Sequence, residues 1–315
     1  MPAGAARTAP LTTVYVLGDV MLDVVVEVEA PFAHASDTPS VISTSPGGAG
    51  ANQSVAMAHA GARVALVGVV GDDPFGDAAA VALRAAGVDV GLLARRQRPT
   101  GVVVALVERD GQRSMLTDRG ANLTLDVAMV EPLAELLDER SHVHVSGYCL
   151  LDEVTRAAGL RAIGLARERG ATVSADSSSA GPLRSLGASR FLHCVHGVDY
   201  LFCNQVEGEV LTSHVEPSAI ARHLLVHAGE VVVTLGARGA LVASSDGELH
   251  HSTASASAST VADTIGAGDS LTATYLVRRL EGSSPGDALV DAGEAARGAV
   301  ARRGGRDWPS NYSRS

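Results

Sequence analysis

From Asp126 onward, short aliphatic runs alternate with segments of helical spacing, and this alternation leaves few folds open. Val127 to Asp138 reads as a helix before a strand at His142 to Ser146, and Asp152 to Arg169 as a helix before Ala171 to Ala175. Tyr200 to Cys203 is a strand followed by a helix near Val206 to Leu211; Ala219 to His227 is helical and Val231 to Leu235 is again a strand, with Ala240 to Ala243 placed to pair with it in a hairpin. Ser270 to Arg279 and about Gly286 to Arg302 are the strongest final helices. Parallel strands need crossovers, and helices supply them, so the expectation is an α/β fold: a three-layer, mostly parallel sheet with helices on both faces. Composition agrees, because hydrophobic residues are 46% and aromatics only 3%, an aliphatic stock suited to strands buried on both sides.

The earlier part of the chain is less regular. Val14 to Leu17 reads as a buried strand ending at Gly18-Asp19, and Gly47-Gly48-Ala49-Gly50-Ala51-Asn52-Gln53 opens a helix through about Ala60, with Gly61 as its stop. Val64 to Val70 is a strand, 71–76 a turn, and about Asp77 to Ala86 a helix ending at Gly87. Val24 to Val28, Val41 to Thr44, and a hairpin made of 102–108 and 113–117 do not fit a parallel scheme. They are expected to form a small β-sheet lid drawn from about 19–46 and 100–120, within a single domain over 12–307 flanked by tails at 1–11 and 308–315. The Pro/Ser-rich stretches at 177–189 and 252–260 read as loops.

Several function classes are excluded. A net charge of −10 disfavours nucleic acid or an anionic membrane as the main partner. Cys149, Cys194 and Cys203 are odd in number with no C-x-x-C pair, which suits a reducing cytoplasm. No apolar run approaches the ~18 residues of a membrane span, and Met1 to Pro10 lacks the hydrophobic centre of a signal peptide. The chain contains no lysine, so all 25 basic residues are arginine. That removes a Walker-type phosphate loop, the protein-kinase strand lysine and any Schiff-base enzyme.

The chemistry-bearing stretch is Asp263-Thr264-Ile265-Gly266-Ala267-Gly268-Asp269-Ser270. A β-leaning approach from about Ala254 to Ala262 leads into it, and Leu271, Ala273, Leu276, Val277 and Leu280 recur behind it at helical spacing. Two glycines therefore sit at a helix N-terminus, where bare N–H groups and the helix dipole favour an anion. Asp269 at its edge is either a first-turn helix residue or a base beside a held phosphoryl group. Polar groups at other strand ends, Gly18-Asp19 with Asp23, Asn204 with Glu207, and Thr234 with Gly236, fall where open parallel sheets gather ligands. The Gly47–Asn52 loop reads as a close-approach loop for a polyhydroxylated substrate, or as a turn before a helix. Asn204-x-x-Glu207 is either a pair for hydrated Mg²⁺ beside phosphates or a capping box. His193, Cys194 and His196 lack the companion ligands a metal site needs.

Together these motifs resemble the ribokinase-like (PfkB) family of sugar and nucleoside kinases, from about Val14 to Gly305. Two segments carry the resemblance: Gly47 to Asn52, with Gly61, Gly68 and Val70 to Gly76 behind it, and Asp263 to Asp269. The resemblance implies that Asp269 is the catalytic base, that Gly266, Ala267 and Gly268 form the anion hole, that Asn204 and Glu207 belong to a Mg²⁺/phosphate motif, and that Thr234, Gly236 and Gly239 belong to the nucleotide strand and turn. It places an acceptor sugar between Asp23, Gly48 and Asn52, with Arg119 as a cation on the substrate side. It also implies ATP and Mg²⁺, activation by K⁺, and a homodimer through the lid. Within the family, Gly50-Ala51-Asn52-Gln53 and Arg119-Gly120-Ala121-Asn122 look nearest to ribokinases. Three positions depart from them: Ala49 where they carry Lys, Met21 where they carry Asn, and Gly147 or Tyr148 where they carry a substrate-contacting Glu; Ile265 stands where they have Thr. The acceptor pocket is therefore altered. The expected activity is ATP-dependent phosphorylation of a primary hydroxyl on a pentose or ketohexose-like sugar. A nucleoside kinase, with Tyr148 and Phe32 among the few aromatics to stack a base, and a catalytically silent nucleotide or sugar sensor are the alternatives.

Overall fold

A computed structural model describes residues 12–28, 34–107, 113–252 and 266–300. The 1–11 and 308–315 tails, the hairpin turn at 109–112, Phe32, the approach at 254–262 and Asp263 to Ile265 lie outside the described residues.

In chain order, β1 (Thr13–Leu17), β2 (Met21–Val28) and β3 (Ser40–Gly47) precede α1 (Ala49–His59), β4 (Arg63–Gly71) and α2 (Pro74–Ala85). The short β5 (Val88–Asp89) and β6 (Leu93–Arg96) lead to β7 (Gly101–Val107) and β8 (Arg113–Asp118), then α3 (Val127–Val130) and α4 (Leu133–Leu136). Next come β9 (Ser141–Val145), α5 (Gly147–Leu151), α6 (Arg156–Glu168), β10 (Thr172–Asp176), α7 (Ala180–Leu186), α8 (Ala188–Cys194), β11 (Val198–Asn204) and α9 (Gln205–Thr212). The chain continues through α10 (Pro217–Leu224), β12 (Ala228–Thr234), β13 (Ala240–Ser244), β14 (Leu249–Ser252), α11 (Ala267–Leu280) and α12 (Pro285–Val300).

The main sheet has ten strands in the order β14-β13-β12-β11-β10-β9-β1-β4-β5, with β6 also paired to β4. From β12 across to β5 the pairing is parallel; only β13 and β14 join antiparallel at the edge. Alternate residues of each strand enter different cores. Tyr15, Leu17, Val67, Val143 and Val173 pack with α5, α6 and α8 on one face, and Val14, Val16, Leu66, Val232 and Val242 pack with α1, α2, α11 and α12 on the other. The expected three-layer architecture is thus present, and so is the separate small sheet, in the order β3-β2-β7-β8.

Several local expectations are corrected. The helix expected over 127–138 is split by Pro132, which lacks the N–H that would continue it, into α3 and α4. Helix α2 begins at Pro74 rather than Asp77, because Asp73 caps it by accepting from the Gly76 amide at 2.8 Å. The 177–189 stretch holds α7 and the start of α8, whose apolar faces bury Leu183 and Phe191 completely. Strands β5, β6 and β14 were not expected.

One buried ionic group fastens α11 to the sheet. Tyr275, fully buried, donates to Glu230 Oε2 of β12 at 2.6 Å, and Arg279 donates to the same carboxylate through Nε at 3.0 Å. Tyr275→Phe removes a donor to a charged buried acceptor, so it should destabilise the fold by about 1–3 kcal/mol. A urea titration checks this: the midpoint should fall at an unchanged m-value.

Candidate active site

Five strands of the main sheet end at one cleft of about 400 Å³: Asp19 follows β1, Tyr148 follows β9, Asp176 ends β10, Asn204 ends β11 and Thr234 ends β12. Strand β1 sits between β4, reached through α1, and β9, reached later on the other side. That reversal opens a crevice at the carboxyl edge, where parallel sheets bind ligands.

The glycines of the first loop have a local purpose. Gly48 has a φ of 94°, and a Cβ there would lie 2.5 Å from the Asp19 carbonyl oxygen. Gly18 and Gly50 face each other so closely that a Cβ on either would come within 2.5 Å of the other's backbone. The backbone that approaches this loop is therefore the chain's own: bare glycine lets α1 start directly against the end of β1. This brings Asn52 and Gln53 to the cleft wall, where Asp23 and Gly48 also lie.

The first turn of α11 closes the other side. Gly266 caps the helix with a φ of 80°, and the first intrahelical bond runs from the Ser270 amide to the Gly266 carbonyl, so the amides at 267–269 precede it. Gly266, Gly268 and Asp269 line the cleft, while Ala267 lies between them outside the lining. Asn52 Nδ2 donates toward Asp269 Oδ2 at 3.5 Å, a contact between residues 217 positions apart.

Asn204 and Glu207 form a complete capping box, the Asn204 side chain accepting from the Glu207 amide and the Glu207 side chain accepting from the Asn204 amide. Glu207 Oε2 also accepts from Ser177 Oγ at 2.5 Å. Burial raises the Glu207 carboxyl above its usual range despite the Ser177 and Asn204 donors, and neighbouring Asp176 adds to the shift. A carboxylate short of positive charge at a cleft wall is a fit place for a hydrated Mg²⁺, which takes one or two carboxylates and completes its shell with water and phosphate oxygens. Among the described residues no three His, Cys, Asp or Glu cluster as a metal cage, the His193, Cys194 and His196 group included.

Thr234 lines the cleft beside Asn204, its register partner across β11 and β12. Gly236 and Gly239, both at positive φ, shape the turn after β12 and stand outside the lining. Arg119 lines the cleft but is already engaged. Its Nε and Nη2 donate to both oxygens of Asp19 at 2.8 Å, and Nη1 lies 3.0 Å from Asp152. Burial works against the guanidinium's charge, yet the Asp19 hydrogen bonds, with Asp152 behind them, raise its pKa further. Sequence reasoning missed Asp176, Ser178 and Gln53 as cleft residues; the end-of-strand position of Asp176 was the available signal.

A family model described as pfkB family carbohydrate kinase matches residues 11–311. A ribokinase of Schizosaccharomyces pombe is 28% identical over 280 residues, 84% of either chain. Fructokinase-1 of Oryza sativa subsp. japonica is 29% identical over 228 residues, 70% of either chain. The solved structure of a putative ribokinase II from E. coli, in complex with ATP and Mg²⁺, superposes with a TM-score of 0.78 at 22% identity over 96% of both chains. Among the described residues no helix is long and apolar enough to cross a membrane.

Proposed function

The chain belongs to the pfkB family of carbohydrate kinases, and from that premise we propose that it transfers the γ-phosphoryl group of ATP to a hydroxyl of an uncharged pentose or ketohexose. The observation that carries this reading is Asp269, in the first turn of α11 and 3.5 Å from the Asn52 amide, at the cleft that Asp23 and Gly48 also line. Asp269 takes the proton of the acceptor hydroxyl as that oxygen attacks in line. The amides at 266–268 face the oxygens of the transferring group, where charge spreads in the transition state. Asn204, Thr234, Gly236 and Gly239 hold the nucleotide, and Asp23, Gly48 and Asn52 hold the sugar. Mg²⁺, held by Glu207 and Asn204, would neutralise phosphate charge.

The charges at the cleft support a neutral acceptor. Asp19, Asp23, Asp176, Glu207 and Asp269 line it against Arg119, its one basic residue among those described. Arg119 already spans Asp19 and Asp152. A phosphate or carboxylate on the acceptor would add to this excess of negative charge among the described lining residues. Activation by K⁺ and a homodimer through the small sheet, whose Val41, Ile42, Met115 and Leu116 are exposed, extend the same reading. Three unpaired, buried cysteines suit a cytoplasmic location.

A panel of ribose, fructose, their 6-phosphates, a sugar acid and adenosine, with ADP release as the readout, tests the proposal. At least one neutral sugar should be turned over and the anionic sugars should not. Preference for adenosine would give the nucleoside-kinase alternative. Nucleotide binding with no product from any acceptor would give the silent sensor.

A further inference from the structure

A chain of hydrogen bonds runs through the buried face of β9 and β10 to the cleft. His142 and His144, two residues apart on β9, are both fully buried, as is Ser174 between them. His142 Nδ1 lies 2.7 Å from Thr172 Oγ1, and its Nε2 lies 2.7 Å from Ser174 Oγ. Ser174 Oγ is also 2.7 Å from His144 Nδ1, and His144 Nε2 is 3.0 Å from Gln53 Oε1. Gln53 Nε2 donates to Asp176 Oδ2 at 2.9 Å, and His144 Nε2, nearer to Gln53, also lies 3.4 Å from that carboxylate oxygen.

Donor and acceptor roles along this chain follow from its last member. A carboxylate only accepts, so Gln53 must turn its NH₂ to Asp176 and its oxygen to His144. His144 Nε2 therefore carries a hydrogen, and its Nδ1, in a neutral ring, accepts from the Ser174 hydroxyl. Ser174 has then spent its single hydrogen and must accept from His142 Nε2–H. His142 Nδ1 in turn accepts from Thr172. Every donor thus points the same way, and each bond polarises the next. Burial holds the His142 pKa well below its usual value, as a neutral ring requires.

The carboxylate at the end of the chain ties two cleft walls together. Asp176 Oδ1 accepts from Ser178 Oγ at 2.5 Å and from the Gly147 amide at 3.2 Å, and Ser178 Oγ accepts from the Tyr148 amide at 3.0 Å. Its other oxygen holds Gln53, next in sequence to Asn52. Burial alone would raise the Asp176 carboxyl, but donors from His144, Ser178 and Gln53 outweigh it and keep it low. The groups that face it are His144 from β9, Glu207 from α9, and Tyr148 and Cys149 from α5.

We propose that Thr172, His142, Ser174, His144 and Gln53 form a one-way positioning chain that, through Asp176, holds the Asn52 and Tyr148 walls of the acceptor pocket in register. The functional part of this inference rests on the sugar-kinase reading; the directional part does not. The first test is therefore made on the resting wild-type protein with ¹⁵N-labelled histidine. Long-range ¹H–¹⁵N spectra at neutral pH should show two neutral Nε2–H rings, the His144 signals being assigned by their loss in His144→Gln. An Nδ1–H tautomer or an imidazolium at either position would overturn the chain.

The second test is kinetic, with whichever acceptor the panel finds. His144→Leu should raise the acceptor KM about tenfold, on the order of one lost hydrogen bond, with the nucleotide KM within about twofold of wild type. His144→Gln, whose amide can still donate to Gln53, should recover to within about threefold. An unchanged acceptor KM in His144→Leu, or no recovery in His144→Gln, would overturn the positioning role. If no acceptor is phosphorylated by the wild type, the kinase reading fails, and the tautomer spectra still decide the direction of the chain.

Discussion

Asp269→Asn is expected to lower kcat by at least ~10²-fold, the lower end of what a positioned general base contributes. The substitution keeps the shape of the side chain and its place in the first turn of α11, and it removes the negative charge and with it the ability to accept a proton. Nucleotide affinity should hold or improve, since one negative charge near the phosphates is gone. Steady-state kinetics with a saturating acceptor, together with a nucleotide titration, check both halves. Near-normal kcat in the variant would show that the proton leaves by another route.

The second large effect concerns Arg119→Met. Arg119 is the cation between Asp19 and Asp152, and only 13% of its side chain and 7% of that of Asp19 are exposed. Removing the guanidinium leaves Asp19 buried without its partner, and uncompensated buried charges of this kind cost about 3–5 kcal/mol. The loss should appear as a lower urea midpoint. Asp19→Asn in the same chain should return part of it, because the stranded charge goes too. An Arg119→Met protein as stable as wild type would mean that solvent reaches Asp19 far more freely than its burial indicates.

Much of the fold could be read from the sequence because the strongest signals were local. Aliphatic runs such as Val231 to Val233 are buried on both faces, and Gly47 to Asn52 announces a helix pressed against a strand. What escaped was set by partners far along the chain. Helix α7 has no side-chain cap and forms because Leu183 has a core to enter. Arg119 looked like a cation available to a substrate; Asp19, 100 residues away, claims it. Gln53 read as one more polar residue of a helix start, and its link to His144 spans 91 residues. Pattern reports which groups a strand end offers, while pairing across the sheet decides which of them are already taken.

The root of the small sheet has a mechanical consequence. β2 begins three residues after Gly18, and β3 runs into α1 through Gly47 and Gly48, with Met21 and Gly47 paired at the junction. Asp19 and Asp23 stand at that junction, and Asn52 lies one turn further on. The two strands, eight residues each, form a lever arm whose fulcrum is the loop proposed to hold the acceptor. At about 3.4 Å per residue the arm extends roughly 25 Å, so a tilt of about 10° at the fulcrum carries its far end ~4 Å. An ångström-scale adjustment at that root would be magnified at Ser40 and Val28, the paired far ends of the arm, where a distance label would report it from outside the cleft.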